Sequence, residues 1–154
     1  MNIYVASSWR NDYQQGVVKA LREDGHEVYD FKNPAPGNNG FGWREIDHYW
    51  QSWTAEEYVE YLSHPLAEAG FKSDMDALTS CEACVMVMPC GPSASMEMGW
   101  AAGAGRKVLI YVPAIREPDL MIKMADFYST NLFAIRLKLE EYEREKESDA
   151  RLIS

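Results

Sequence analysis

The sequence predicts an α/β protein whose open parallel sheet is covered by helices on both faces. Strand patterns alternate with helix patterns along its 154 residues, and strands that are joined through helices pair in parallel. Residues 83–89 form an almost continuous apolar run, which is typical of a strand buried on both faces. Because the length corresponds to one domain, we expect a single domain over residues 1–154.

The first three elements are a strand, a helix and a strand. Residues 2–6 and residues 26–31 both have strand patterns. Between them, one face of a helix is formed at the helical period by Tyr13, Val17, Ala20 and Leu21. Gly25 follows this face, and glycine commonly stands just after the end of a helix. This succession predicts a βαβ unit.

Residues 32–62 are an aromatic-rich insertion. Residues 32–42 are rich in Asn, Pro and Gly, a composition that predicts a long surface loop. Thr54 and Glu57 have the spacing of a capping box, so a helix is expected to begin there. The aromatic side chains that surround this start are Trp43, Tyr49, Trp50, Trp53, Tyr58 and Tyr61.

The rest of the chain continues the alternation. A helix is predicted over residues 65–80, and the apolar strand follows it. Gly91 and Pro92 then lead into a helix over residues 93–104 that is rich in small side chains. The remaining predicted elements are a strand at 107–112, a short helix at 118–125, a brief strand before Asn131 and a terminal helix at 132–151.

Charge and composition exclude several classes of partner. The chain carries 15 Lys and Arg against 24 Asp and Glu, which gives a net charge of −9. A nucleic-acid polymer is therefore not an expected partner, because binding a polyanion requires a basic face; a small nucleotide needs only a few donors. The start of the chain lacks the basic and apolar segments of a signal peptide, and no apolar run is long enough for a bilayer. We expect a cytoplasmic protein with no membrane partner.

The cysteines do not predict a metal or redox site. Cys81 and Cys84 have the C-x-x-C spacing, and Cys90 follows closely. A zinc site requires four ligands, and the three histidines are scattered along the chain. A redox pair would precede a helix, whereas this pair leads into a strand pattern. We interpret the three as structural thiols and expect neither a metal nor a cofactor.

Ligands of open parallel sheets bind beyond the carboxyl ends of the strands. The end of the first strand offers an anion cradle of hydroxyls, backbone N–H groups and a guanidinium, formed by Ser7, Ser8, Trp9 and Arg10. The alternative interpretation is that Ser8 or Asn11 only caps the following helix.

Carboxylates lie near the predicted end of the third strand. Glu97 is expected in the first turn of the following helix, where the helix dipole would keep it ionised, as a nucleophile requires. A capping box is excluded because Ala94 stands three residues earlier. Asp74 and Asp76 offer a second carboxylate that could bind a hydroxyl or donate a proton. Alternatively, both only cap or decorate the start of a helix.

These residues together resemble the nucleoside 2-deoxyribosyltransferase family, which includes deoxynucleoside 5′-monophosphate N-glycosidases. The resemblance rests on Tyr4 with the 7–10 loop, Asp74 seven residues before Cys81, the apolar strand, and Ser-x-Ser-x-Glu-x-Gly at 93–99. It spans residues 2–112 and is most specific in the pairing of Asp74 with Glu97 around the buried strand. It implies a five-stranded flavodoxin-like or Rossmann-like sheet of order 2-1-3-4-5.

The resemblance also implies roles for individual residues. Glu97 corresponds to the nucleophile, Asp74 to the acid that contacts the sugar or assists departure of the base, and Tyr4 to the tyrosine that orients the nucleophile. Ser7, Ser8 and Arg10, with Trp9 between them, match the loop that binds a 5′-phosphate in the monophosphate-cleaving branch. Gly91 occupies a substrate-binding position that is often Ser or Asp in the family, and Ser93 or Ser95 could substitute for it.

A further implication concerns subunits. In the family, a short segment from a neighbouring subunit reaches into the pocket, and residues 128–131 are the candidate here, with Asn131 as the substrate-binding residue. Small side chains in the 93–104 helix permit close helix approach. We expect a homodimer or a higher homo-oligomer. The alternative is a monomer in which Asn131 caps the terminal helix.

The function expected from these residues is transfer or cleavage at the N-glycosidic bond of a nucleoside or nucleotide, without a metal or an organic cofactor. Two alternatives share the same loops: a nucleotide-binding sensor without turnover, and a glycohydrolase that cleaves NAD. Trp43, Trp50 or Trp53 could stack on a base, although an aromatic stripe of this kind more often forms a core or a subunit interface.

Overall fold

The computed structural model describes residues 1–154 and contains one five-stranded sheet. Its strand order is β2-β1-β3-β4-β5, as the resemblance implies, and β1 with β3, β3 with β4, and β4 with β5 pair in parallel. The strands are β1 (Asn2–Ala6), β2 (Glu27–Asp30), β3 (Ala83–Val87), β4 (Lys107–Tyr111) and β5 (Phe127–Ser129). β3 is therefore the central strand, and all five of its residues are buried.

Helices connect the strands. They are α1 (Gln14–Glu23), α2 (Ala55–Tyr61), α3 (Pro65–Ser80), α4 (Pro92–Gly103) and α5 (Leu132–Ile153). Gly25 adopts a positive φ of 88° just after α1, which confirms the predicted end of that helix. The short helix predicted at 118–125 is a 3₁₀ turn, Leu120–Met124.

The chain forms two compact units rather than one continuous cluster of contacts. The first unit comprises Met1–Tyr29 and Cys81–Ser154, and the second comprises Asp30–Ser80. The second unit contains the predicted aromatic insertion, which includes α2, and it also contains α3.

The first unit buries both faces of its sheet. Alternate strand residues point to opposite faces, and on one face Ile3, Val5 and Val85 pack with α1 and α5. The helix residues in this cluster are Val17, Val18, Leu21, Ile135, Leu139 and Tyr142. The opposite face carries Tyr4 and Cys84 and is covered by α4, whose buried residues are Ala94, Met98 and Ala101.

The second unit contains a cluster of aromatic rings. The ring of Trp43 meets the rings of Phe41, Trp53 and Tyr58 edge to face, with centroid distances of 4.8, 5.7 and 6.0 Å. Trp53 also stacks on Tyr61 at 4.4 Å. The rings pack on one another but stay partly exposed, Tyr58 by 48%. The aromatic stripe is therefore a partly exposed cluster rather than a fully buried core.

The helix start predicted beside these aromatic residues is confirmed. Thr54 Oγ1 accepts a hydrogen bond from the Glu57 N–H at 3.2 Å, and Glu57 Oε2 accepts one from the Thr54 N–H at 3.3 Å. The two bonds form the capping box at the start of α2.

Candidate active site

The carboxyl ends of β1 and β3 are joined through Ser7. This residue follows β1 directly, is 9% exposed, and donates its hydroxyl proton to the Val87 carbonyl at 2.8 Å. The next hydroxyl, that of Ser8, is half-buried and accepts a hydrogen bond from the Arg10 N–H at 3.3 Å. The Ser7 donor is therefore used within the protein, whereas the hydroxyl proton of Ser8 is not.

Trp9 and Arg10 are exposed at the same edge of the sheet. Trp9 is 51% exposed, and the guanidinium of Arg10 makes no hydrogen bond or ion pair within the chain. The helix cap that follows is Asn11, whose Oδ1 accepts hydrogen bonds from the N–H groups of Tyr13 at 2.8 Å and Gln14 at 2.9 Å. The two interpretations of this loop are thus compatible: Asn11 caps α1, and Arg10 is available to an anion.

The position of Glu97 in α4 differs from the one predicted. The helix begins at Pro92, because proline is favoured at the first helical position, and at about 3.6 residues per turn Glu97 falls in the second turn. The expectation of a first-turn carboxylate was wrong. Because the field of a helix terminus declines within its first turn, the dipole of α4 does not account for an ionised Glu97.

The pKa values of two thiols indicate where the Glu97 carboxylate lies. Burial, followed by the charges that Cys81 and Glu97 carry when they ionise, raises the pKa of the Cys84 thiol well above its usual range. Burial and then the charge of Glu97 raise the pKa of the Cys90 thiol to about 11. Cys84 lies in β3, and Cys90 lies beyond the carboxyl end of that strand. The carboxylate of Glu97 therefore lies near the α4 face of the sheet, towards its carboxyl edge.

Tyr4 lies on this same face. It is fully buried and is directly opposite Cys84 in the pairing of β1 with β3. Its ring stacks on Tyr29 at 5.3 Å, with an angle of 19° between the planes. Tyr4 and Glu97 thus both have Cys84 as a neighbour, and the role of Tyr4 in orienting Glu97 stays a prediction.

The loop between β3 and α4 is held by local bonds. Gly91 has extended backbone angles of −98° and −167°, and Ser95 Oγ donates to the Gly91 carbonyl at 3.3 Å. The Ser95 side chain also acts on the Cys90 thiol and lowers its pKa, against the larger effect of burial. Ser93 is exposed. Of the two serines proposed to substitute at Gly91, Ser93 is the one that faces solvent.

The carboxylates of α3 do not lie at a helix start. Asp74 and Asp76 both follow Pro65, where α3 begins, by more than two turns. The alternative that they cap a helix was therefore wrong. Asp76 pairs with Lys72 on the surface, and Asp74 is half-buried. Asp74 belongs to the second compact unit, whereas Glu97 and Tyr4 belong to the first.

Asn131 caps α5. Its Oδ1 accepts a hydrogen bond from the Phe133 N–H at 2.9 Å, and its own N–H donates to Ser129 Oγ at 3.0 Å. The residue is exposed, and so its amide N–H₂ group faces solvent. Capping uses only the acceptor side of this amide.

Two residues at the carboxyl edge were not predicted as site residues. The Asn11 side chain donates to the carbonyls of Val87 at 3.3 Å and Pro89 at 2.9 Å, in addition to capping α1. Arg116, in the loop after β4, is exposed and makes no hydrogen bond or ion pair. The position after a strand directs attention to residues 113–116 from the sequence alone, although no role was assigned to Arg116. Nothing local marks the partners of Asn11.

The structure contains no group of three or more His, Cys, Asp and Glu side chains arranged to hold a metal ion. None of its helices combines the length and the apolar composition that crossing a membrane requires.

Comparisons with known proteins identify a shared fold. No protein-family model and no curated protein matches the sequence. A solved 2-deoxyribosyltransferase from Bacillus psychrosaccharolyticus is 21% identical, with 87% of this chain and 89% of that chain covered and a TM-score of 0.57. A CMP N-glycosidase of Clostridium botulinum is 17% identical over 91% of this chain and 98% of that chain, with a TM-score of 0.48. The likeness to the first protein confirms the fold that the resemblance implies.

Proposed function

We propose that this protein transfers or cleaves at the N-glycosidic bond of a nucleoside or nucleotide through a covalent glycosyl-Glu97 intermediate. The observation that carries the proposal is the position of Glu97, which is half-buried on the helix that packs against the central strand, on the face that also holds Tyr4. The likeness in fold to a 2-deoxyribosyltransferase supports the same chemistry.

The proposed reaction is a double displacement. A Glu97 carboxylate oxygen attacks the anomeric carbon while the bond from that carbon to the base nitrogen breaks, and the base leaves with the bonding electrons. Asp74 donates the proton that neutralises the departing base, and the Tyr4 hydroxyl orients Glu97. In the second step, water or another base attacks the anomeric carbon, gives its proton to Asp74 and releases the carboxylate of Glu97.

The edge beyond β1 favours a phosphorylated substrate. The guanidinium of Arg10 makes no bond within the chain, and the Ser8 hydroxyl proton is available beside it. Together they would bind a 5′-phosphate, while Trp9 and Gly91, with Ser93 and Ser95, would line the rest of the substrate. This observation supports hydrolysis of a deoxynucleoside 5′-monophosphate as the second candidate function.

We also propose that the protein works as a homodimer or a higher homo-oligomer. Residues 128–131 of one subunit would complete the pocket of its neighbour. The N–H₂ group of Asn131, which capping leaves exposed, would then contact the substrate.

The experiment that tests this function is incubation of the protein with a panel of nucleosides, their 5′-monophosphates and NAD, followed by chromatography of the free bases. Release or exchange of a purine or pyrimidine base supports the proposal. Binding without any release indicates a nucleotide sensor, and release of nicotinamide alone indicates an NAD glycohydrolase; either result contradicts the proposal.

A further inference from the structure

The side chain of Asn11 connects the ends of two neighbouring strands. It is 5% exposed, and its Nδ2 donates to the carbonyls of Val87 at 3.3 Å and Pro89 at 2.9 Å. Its Oδ1 accepts from the N–H groups of Tyr13 and Gln14. One amide therefore joins the start of α1 to the segment that follows β3.

We propose that Asn11 is a positioning residue that sets the spacing between the Ser8–Arg10 loop and Glu97. This inference rests on the function proposed above. Arg10 is the residue directly before Asn11, and the Val87–Pro89 segment leads into Gly91 and α4, which carries Glu97. The amide is thus a direct connection between the loop proposed to bind phosphate and the loop that precedes the nucleophile.

This position requires an amide, because one short side chain must donate hydrogen bonds and accept hydrogen bonds at the same time. Aspartate has no N–H to donate and would place a negative charge against the carbonyls of Val87 and Pro89. Serine can cap a helix but is too short to do so while also bonding to Pro89. A buried group whose partner is lost bears the full cost of desolvation, and so the two loops would move apart.

The spacing affects only a substrate that contacts both loops. A nucleoside 5′-monophosphate would be held at Arg10 through its phosphate and attacked by Glu97 at its anomeric carbon, and the sugar fixes the distance between these two points. A displacement of about 1 Å between bound groups lowers a rate by roughly a hundredfold. A nucleoside has no phosphate to hold at Arg10, and its reaction depends much less on this spacing.

The test compares Asn11→Asp with Asp24→Asn, an isosteric change at the other end of α1. Asp24 accepts two hydrogen bonds from Arg136, each at 2.7 Å, and lies outside the candidate site. The kcat of each variant is measured with a 5′-monophosphate and with the corresponding nucleoside. We expect Asn11→Asp to lower the ratio of the two kcat values by about tenfold to a hundredfold and Asp24→Asn to leave it unchanged. Asn11→Ser, which adds no charge, should lower the ratio as well; a loss confined to Asn11→Asp would reflect repulsion of the phosphate and would overturn the inference.

An equal loss for both substrates, or no loss, overturns the inference, because a merely structural role would not change the ratio. Calorimetry with ribose 5-phosphate separates this inference from the proposed function if the wild type releases no base. Binding that is at least about tenfold weaker in Asn11→Ser, which adds no charge beside the phosphate, but not in Asp24→Asn, would support the positioning role even without turnover. Unchanged binding, or no binding by the wild type, overturns it.

Discussion

At the scale of single residues, the rate at which the Cys90 thiol is alkylated depends on the charge of Glu97, and this rate can be measured without turnover. Burial, followed by the charge of Glu97, raises the pKa of this thiol to about 11. Only the thiolate reacts with alkylating reagents, and so the raised pKa keeps Cys90 largely unreactive near neutral pH. A change in the charge of Glu97 must therefore change the rate of alkylation.

We predict that Glu97→Gln speeds alkylation of Cys90. Removing the negative charge lowers the pKa of the thiol and increases its thiolate fraction, by about threefold to tenfold for a shift of half a unit to one unit. The rate is measured with iodoacetamide at about pH 8 by mass spectrometry of the peptide that contains Cys90. The control is Glu117→Gln, because it removes an exposed charge that does not act on Cys90. Equal rates in the wild type and Glu97→Gln would place the carboxylate elsewhere.

Arg10→Ala is expected to weaken binding of 5′-monophosphates far more than binding of nucleosides. A charge-assisted hydrogen bond contributes roughly 1.5–3 kcal/mol, or about tenfold to a hundredfold in affinity. Dissociation constants for a nucleoside and its monophosphate give the comparison. Lys19→Ala removes one positive charge from the exposed surface of α1 and controls for net charge. Equal losses for both ligands would argue against phosphate binding by Arg10.

At the scale of elements, local patterns predict the helices and strands well, but they do not predict contacts between residues that are far apart in the chain. The helix that the local pattern predicts at 65–80 has the same bounds as α3, and the order of the sheet, which the resemblance rather than any local pattern implies, is confirmed. Glu97 was assigned to the first turn of α4, although even from the predicted start at residue 93 it lies four positions on, beyond one turn of about 3.6 residues. The observed start at Pro92 places it one position further along the helix. The bonds from Asn11 to Val87 and Pro89 span 76 and 78 positions, and no local pattern encodes such partners.

The packing of α3 leads to a prediction about glycine. A Cβ at Gly70 would lie 2.9 Å from the Phe41 Cβ, whereas a Cβ at Gly16 of α1 meets nothing within 4 Å. Gly16→Ala should raise the free energy of unfolding by about 0.5–1 kcal/mol, because alanine favours helices. At Gly70 the same gain is offset by overpacking that costs about 1–3 kcal/mol.

Urea unfolding of the two alanine variants measures this difference. Gly70→Ala should be less stable than Gly16→Ala by about the cost of overpacking, roughly 1–3 kcal/mol. Equal stabilisation of the protein by both substitutions would show that Phe41 does not pack closely against α3.

At the scale of the whole molecule, the apolar side chains exposed around β5 favour association of subunits. Leu120 is 75% exposed, Met121 57% and Tyr128 47%, and all three lie in the stretch between β4 and α5. Exposed apolar side chains that form a large patch are typical of an interaction surface, and we base the next prediction on these three. The same stretch contains residues 128–131, which are proposed to enter a neighbouring site.

We predict a homo-oligomer whose subunits share their sites. Sedimentation at micromolar concentration should give at least twice the mass of 17.6 kDa. Mixing Glu97→Gln with a variant altered at Ser129 and Asn131 should restore part of the activity, because some mixed sites would contain neither change. The idea fails if the mass is that of a monomer, or if subunits that are shown to exchange do not complement each other.

The central claim is that Glu97 carries the sugar during turnover, and peptide mapping of the acid-quenched enzyme tests it most directly. The wild type is quenched while it turns over its best substrate. We predict that its peptide containing Glu97 is then heavier by the mass of one covalently bound sugar or sugar phosphate. Glu97→Gln should fold and bind the substrate, carry no such adduct, and release base more slowly by several orders of magnitude. An adduct on another residue, or release of base by Glu97→Gln at nearly the wild-type rate, would contradict the claim.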